Sequence, residues 1–223
     1  MLNRAMTSQV ITQQWLKKPK QVRSQKTLER ILSVAEELIS SGTFDRVTVA
    51  GIVKLAGTSV GAFYARFSDK EALRHVLQER FVWRAEAAVN EVTELSRWVD
   101  RPLVEVVHGV VVGLADLLRL ERGGFLSLVT GWRLRGQPEA RERSARIDEL
   151  VSDRVETLLL ERKYEIAHPR PELAIRVGLS MVLWTLREHL VFGAPGPGPG
   201  GVVDDDLVAE LGAAYLAYLQ GCA

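Results

Sequence analysis

Cysteine is almost missing from this chain: its 223 residues include one, Cys222. A lone thiol forms no internal disulfide, so packing must hold the fold, and nothing points to an oxidising compartment. Long apolar runs are missing as well. The longest, Val104 to Leu120, is interrupted by Glu105, His108, Asp116 and Arg119, which rules out a membrane span. Met1 to Gln14 lacks the basic-then-apolar order of a signal peptide, so the expectation is a cytoplasmic protein with no membrane partner. The four histidines, His75, His108, His168 and His189, show no metal-ligand spacing. The Gly-Pro run over residues 193–201 has neither the lysine nor the strand context of a phosphate loop. Ser127 and Ser180 fall on predicted helices without an elbow motif around them. These absences argue against an enzyme, and no cofactor or metal is expected.

What is present is unevenly placed charge. The net charge is +1, yet residues 1–75 hold 12 of the 29 Lys and Arg and only 6 of the 28 Asp and Glu. A basic N-terminal part on an acidic remainder is the electrostatic footprint of a nucleic-acid-binding end joined to a body that does not bind nucleic acid. Lys17, Lys18, Lys20, Arg23 and Lys26 lie at the front of this part. They read either as an arm that contacts phosphates or enters the minor groove, or as a solvated tail.

Hydrophobic spacing predicts an all-α fold of about nine helices. Leu28, Ile31, Leu32, Ala35, Leu38 and Ile39 recur at three-and-four spacing in a first helix over about 22–41, which Gly42 ends. A long helix from Asp69 to about Ser96 links the basic end to the body. Pro102 opens an apolar helix to about Leu120, Gly123 and Gly124 break it, and a shorter helix follows from Phe125 to Arg135. A charged helix over about 139–163 comes next. Pro169 and Pro171 introduce another over about 172–192, and Asp204 to Asp206 place negative charge at the start of a last helix to about Gln220. The domain reading is a basic arm over 1–21, a DNA-reading domain over 22–68 and a helical body over 69–223. A Gly/Pro loop over 193–203 interrupts that body.

Residues 47–73 carry most of the functional signal. Thr48 is placed to N-cap a short helix whose apolar side would be Ile52, Val53, Leu55 and Ala56. Gly57 then supplies a sharp reversal, and Ser59 caps a second short helix over about 60–66. Phe63 and Phe67, four apart, should point inward and leave Val60, Ala62, Tyr64, Ala65 and Arg66 outside. Small side chains there allow close approach to base edges and thymine methyls, while a Tyr hydroxyl and an Arg guanidinium reach phosphates. Ser68 and Glu71, three apart, read as a capping box, with Lys70 as a phosphate clamp at the start of the following helix. This is the layout of a helix-turn-helix.

At Ala35, Leu38, Gly42, Thr48, Ile52, Val53, Ala56, Gly57, Thr58, Ser59, Gly61, Tyr64, Phe67, Asp69, Lys70, Glu71 and Leu73 the chain resembles the TetR family of bacterial transcriptional regulators. Gly51 departs from the acidic or polar residue usual in that pattern, Val53 from Ala and Thr58 from Val. A glycine costs about 1 kcal/mol in a helix, so a softer first reader helix is expected. The resemblance implies a ligand-responsive regulator, more often a repressor, that binds a palindromic double-stranded DNA operator as a homodimer. Its DNA contacts would come from Thr48, Thr58, Ser59, Val60, Gly61, Ala62, Tyr64, Arg66 and Lys70. It also implies pairing of the last two helices with their symmetry mates. Ala174, Gly178 and Met181 on one, and Leu211, Ala214, Tyr215 and Tyr218 on the other, offer apolar faces with small residues for that purpose. A small-molecule pocket is implied in the body. His108, Phe125, Val129, Trp132, Arg133, Met181 and Trp184 are its candidate lining, each equally readable as core. The alternative is a ligand- or partner-sensing helical scaffold whose helix-turn-helix is weakened, for which Gly51 is the supporting feature.

Overall fold

The computed structural model describes residues 22–193 and 204–221, with side chains from Gln25 onward. The basic arm at residues 1–21, most of the Gly/Pro loop and Cys222 lie outside the described residues. Within them the chain is all helical, with nine α-helices and no strand. In chain order these are α1 (Val22–Ser40), α2 (Val49–Leu55), α3 (Val60–Tyr64), α4 (Lys70–Val92), α5 (Leu103–Leu120), α6 (Arg122–Arg135), α7 (Pro138–Leu160), α8 (Pro171–Leu186) and α9 (Asp204–Leu219).

Two compact units divide the chain. The first takes the residues up to Trp83 together with Ser127–Arg143, and the second takes Arg84–Leu126 and the residues from Ser144 onward. The first unit therefore extends beyond residue 68, where the sequence pattern places a boundary. The physical reason lies in the core: Ala72, Leu73, Val76 and Leu77 of α4 are buried in one cluster with Leu28, Ile31, Ile52, Phe63 and Phe67. Helices as short as α2 and α3 do not persist alone, so the start of α4 and the apolar side of α1 must supply the surface they fold on.

In the second unit, α9 packs on α5 and α8. Val106, Val107, Val110, Val111 and Leu114 give α5 its buried face. Gly109 leaves room for the Trp98 indole, whose Nε1 donates to the Val92 carbonyl at 2.7 Å. Asp100 is the one non-glycine residue at positive φ among the described residues, at 58°, and it turns the chain into Pro102 and α5.

Three element ends differ from the sequence expectation. α4 stops at Val92, where Thr93 turns its hydroxyl back to the Val89 carbonyl, and a 3-10 turn over Leu95–Trp98 follows. The break after α5 is Glu121, not the two glycines: its carbonyl accepts from Phe125 N and α6 starts at Arg122. Gly123 and Gly124 thus occupy a first helical turn, where backbone N–H groups have no upstream partner in any case. α8 ends at Leu186 and continues as a π-helical turn over Arg187–Val191.

Candidate nucleic-acid interface

The reader helices are built by side-chain caps. Thr48 Oγ1 accepts from Gly51 N at 3.2 Å, and Ser59 Oγ accepts from Ala62 N at 3.1 Å. Each fills an unpaired amide that a helix start leaves open. Between the two caps Gly57 adopts φ 58°, and the turn closes through Gly57 N to Lys54 O and Thr58 N to Val53 O. Arg30, which the motif does not single out, braces this turn from α1 by donating to the Gly57 carbonyl at 3.2 Å.

Ile52, Val53 and Ala56 form the buried side of α2, but Leu55 is exposed. Gly51 has a packing reason: a Cβ there would lie 2.8 Å from Cγ1 of Val47. A side chain at this position would press on Val47 of the preceding turn, which is a packing reason for the departure from the family pattern.

On α3 the inward pair is placed as its spacing predicts. Phe63 and Phe67 are fully buried, with ring centroids 5.2 Å apart. Val60, Gly61, Tyr64 and Ala65 are exposed, Thr58 and Ala62 are half-buried, and Tyr64 keeps half of its surface open to solvent. Arg66 is a correction. It is buried, and its guanidinium bonds back to the Ala62 carbonyl. A five-residue helix ends with unpaired carbonyls, and Arg66 lies just past that end, so it caps α3 instead of projecting into a groove.

The start of α4 needs a second correction. Asp69, not Ser68, is the cap: its Oδ1 accepts from Ala72 N at 2.7 Å, while Ser68 Oγ donates to Asp69 Oδ2. Glu71 turns instead to Arg74 and Gln137. Lys70 Nζ donates to the Asp45 carbonyl at 3.0 Å and stands 4.9 Å from the centre of the Phe44 ring. Burial, followed by the charge of Arg74, lowers its pKa despite the opposing charges of Asp45 and Glu71. One of its three protons is used, and two remain for an outside acceptor.

The sequence motif leaves out a set of charged residues around this point. Asp45 pairs with Arg74 and, at 3.3 Å, with Arg135, and Arg74 also pairs with Glu71 at 3.0 Å. Burial alone would raise the carboxyl pKa of Asp45, but the hydrogen bond and charge of Arg74, helped by Arg135 and Lys70, hold it below its ordinary value. Deeper in the same unit, Arg143 Nη1 donates to His75 Nδ1 at 3.1 Å and to Gln78 Oε1 at 3.2 Å, and its Nε pairs with Glu79 at 2.6 Å. Apart from Glu71 and Arg74, three positions apart, nothing in the local pattern signals these groups, because their partners lie 29 to 90 positions away.

The candidate dimer residues divide. Ala174 and Gly178 of α8 and Tyr215 of α9 are buried within the chain. The Tyr215 ring lies against Gly178, leaving no space for a Cβ, and its hydroxyl donates to the Ile175 carbonyl at 2.8 Å. These three are internal packing, a correction whose reason is that small residues let α8 and α9 of one chain approach each other. The outer side of α8 carries Leu173, Val177, Met181 and Trp184, all exposed. On α9, Ala214 is exposed and Leu211 and Tyr218 are half-buried.

The candidate pocket residues differ in exposure. Met181 and Trp184 are more than half exposed. His108 is exposed on α5, beside Gly212. Phe125 is buried, with the Arg187 guanidinium 5.9 Å from its ring centre. Val129 and Trp132 are half-buried, and Arg133 is exposed with its guanidinium 4.9 Å from the Trp132 ring centre. An open cleft of about 620 Å³ in the second unit is lined by Leu95, Val99, Asp100, Arg101, Pro102, Glu161, Arg162, Tyr164 and Glu165. Among the described residues no group of three or more His, Cys, Asp and Glu is arranged to hold a metal ion, and no helix is long and apolar enough to cross a membrane.

Comparison with known proteins agrees with this geometry. Residues 31–77 match the model of the family described as bacterial regulatory proteins, tetR family. The uncharacterized HTH-type transcriptional regulator YvdT of Bacillus subtilis (strain 168) is 43% identical over 54 residues, which are 24% of this chain and 28% of the relative. A TetR-family transcriptional regulator from Mesorhizobium loti MAFF303099 superposes with a TM-score of 0.69 at 18% identity, covering 89% of this chain and 98% of that one. PfmR, a TetR-family regulator from Thermus thermophilus, superposes with a TM-score of 0.58 at 19% identity, covering 87% and 99%. Capped short helices and the match over residues 31–77 point the same way: this segment is similar to the tetR-family N-terminal domain, and the chain shares the all-helical fold of the superposed structures.

Proposed function

We propose that this protein is a sequence-specific DNA-binding transcriptional regulator, a repressor that binds a palindromic operator as a homodimer in the cytoplasm. The observation that carries the reading is the two-sidedness of α3. Its aromatic side is fully buried, while Val60, Gly61 and Tyr64 stand exposed just beyond the hydroxyl cap of Ser59. Thr48, Ser59, Tyr64 and Lys70 supply hydroxyl and ammonium donors for phosphates, and Thr58, Val60, Gly61 and Ala62 form the low-relief surface that meets base edges. Arg66 takes no part in reading bases.

One reader covers few base pairs, so two copies about one helical turn or a multiple apart are needed for a palindrome. The exposed stripe of Leu173, Val177, Met181 and Trp184, with Leu211, Ala214 and Tyr218, is the surface on which the second copy would pack. A small molecule held in the body releases the operator by favouring one spacing of the two readers. It does so only to the extent that its affinities for the two spacings differ.

The test is selection from a random duplex library by the purified protein at two salt concentrations. An enriched palindrome is expected, and no enrichment by a folded dimer removes the operator reading. On the selected duplex, Tyr64→Phe and Lys70→Ala should weaken binding to all sequences, with Lys70→Ala lowering the salt slope by about 1, whereas changes at Val60 or Ala62 should alter sequence preference. Uniform effects from all four changes would remove this division of labour.

A further inference from the structure

Lys70 belongs to a junction of three cations and two carboxylates, all within the first compact unit. Asp45 holds Arg74 through one oxygen and Arg135 through the other. Glu71 holds Arg74 and accepts from Gln137 Nε2 at 3.0 Å. The backbone carbonyl of the same Asp45 holds Lys70. Arg135 and Gln137 come from the end of α6 and the Gly136 turn after it, more than sixty positions beyond Lys70.

We propose that Arg135 is a positioning residue of the DNA-binding surface. It fixes the turn that holds Lys70 and so ties phosphate affinity to the order of the last turn of α6. The inference rests on the DNA-binding reading above. Asp45 sits in a three-residue 3-10 turn, Phe44–Arg46, which has little stability of its own and depends on side-chain anchors. Phe44 is one anchor, buried with the Arg74 guanidinium 4.5 Å from its ring centre. The Asp45 carboxylate is the other. The turn runs directly into Val47, which packs on Gly51, and into Thr48, which caps α2. A shift at Asp45 therefore moves the carbonyl under Lys70 and the start of the first reader helix together.

Arg135 is itself aimed by its own helix, with contacts at 3.5 Å to the Ser127 carbonyl and the Thr130 hydroxyl. Nε of Arg135 and Oε1 of Gln137 are buried with no hydrogen-bond partner. Incomplete satisfaction of this kind brings a second arrangement within reach, which a contact that transmits a change requires.

The experiment measures binding of a selected duplex by the full chain at two salt concentrations, for the unmodified protein, Arg135→Gln, Asp45→Asn, the double variant and Arg135→Lys, with thermal melts alongside. Arg135→Gln and Asp45→Asn should each weaken binding about threefold to fivefold, the scale of a part-exposed ion pair, with little change in melting. The double variant should be no weaker than either single one, Arg135→Lys should recover most of the loss, and the salt slope should stay unchanged. Unaltered binding by Arg135→Gln, additive losses in the double variant, or a slope lowered by about 1, the mark of a direct phosphate contact, each overturns the proposal. If the unmodified protein selects no duplex, the DNA reading fails by itself, and amide exchange decides the junction. Faster exchange over residues 44–48 in Arg135→Gln supports it, and unchanged exchange overturns it.

Discussion

The outer faces of α3 and α8 present opposite surfaces. α3 shows small residues, a glycine and a half-exposed tyrosine, a low surface with hydroxyls at its edges. α8 shows Leu173, Val177, Met181 and Trp184, a raised apolar stripe. The first suits a polar groove lined by phosphates, the second suits another apolar face. Their inner faces differ in the same sense. α3 is anchored by two phenylalanines and a local cap, whereas α8 is anchored by the absence of a side chain at Gly178, which lets a partner from 37 positions further on lie flat against it. One helix is specified by what stands next to it in the chain and the other by what is left out for a distant residue.

The sharpest way to break that contrast is Phe63→Ala. It should cost about 3–5 kcal/mol and unfold the first unit first, seen as early loss of protection at residues 49–67 by amide exchange. If both units lose protection together, the anchoring of α3 is not local. Gly178→Val should cost about 1–3 kcal/mol by driving a side chain into the Tyr215 ring, and a chemical denaturation midpoint will report it. Unchanged stability would mean that α8 and α9 separate readily, against the packing described. Ser59→Ala should cost about 1 kcal/mol and fray α3 while leaving α8 intact.

The smallest effect expected is a pH dependence of the first unit alone. Burial, and next the Arg143 charge, push the pKa of His75 below its ordinary value, against the weaker pull of Glu139 and Glu71. The folded protein thus resists a proton that the unfolded chain accepts. Stability should be complete above about pH 6.5 and fall as pH drops below it, by at most about 1.4 kcal/mol per pH unit. His75→Gln should flatten that acid limb in a series of melting curves. An unchanged limb would locate the titration elsewhere.

The same contrast explains what was legible in the sequence. Helix order, the caps at Thr48 and Ser59, the reversal at Gly57 and the inward pair Phe63 and Phe67 all rest on neighbours within a few positions, and the structure has them as the pattern implies. Arg66 departs from its pattern because exposure on a short helix depends on where the last carbonyls go. Gly178 and Tyr215 pack within one chain because small residues permit close packing without saying which helix will use it. The charged junction at Asp45 was invisible, since Arg74 and Arg135 meet there only after α4 and α6 have been placed.

The chain changes units between Trp83 and Arg84, between Leu126 and Ser127 and between Arg143 and Ser144, each time inside a continuous helix, α4, α6 or α7. A protease that needs an extended segment finds none at these points, and a gene fragment ending after the reader lacks Ser127–Arg143. The reader is therefore not a detachable cassette, and grafting residues 22–68 onto another body would carry the motif without the residues that complete its fold.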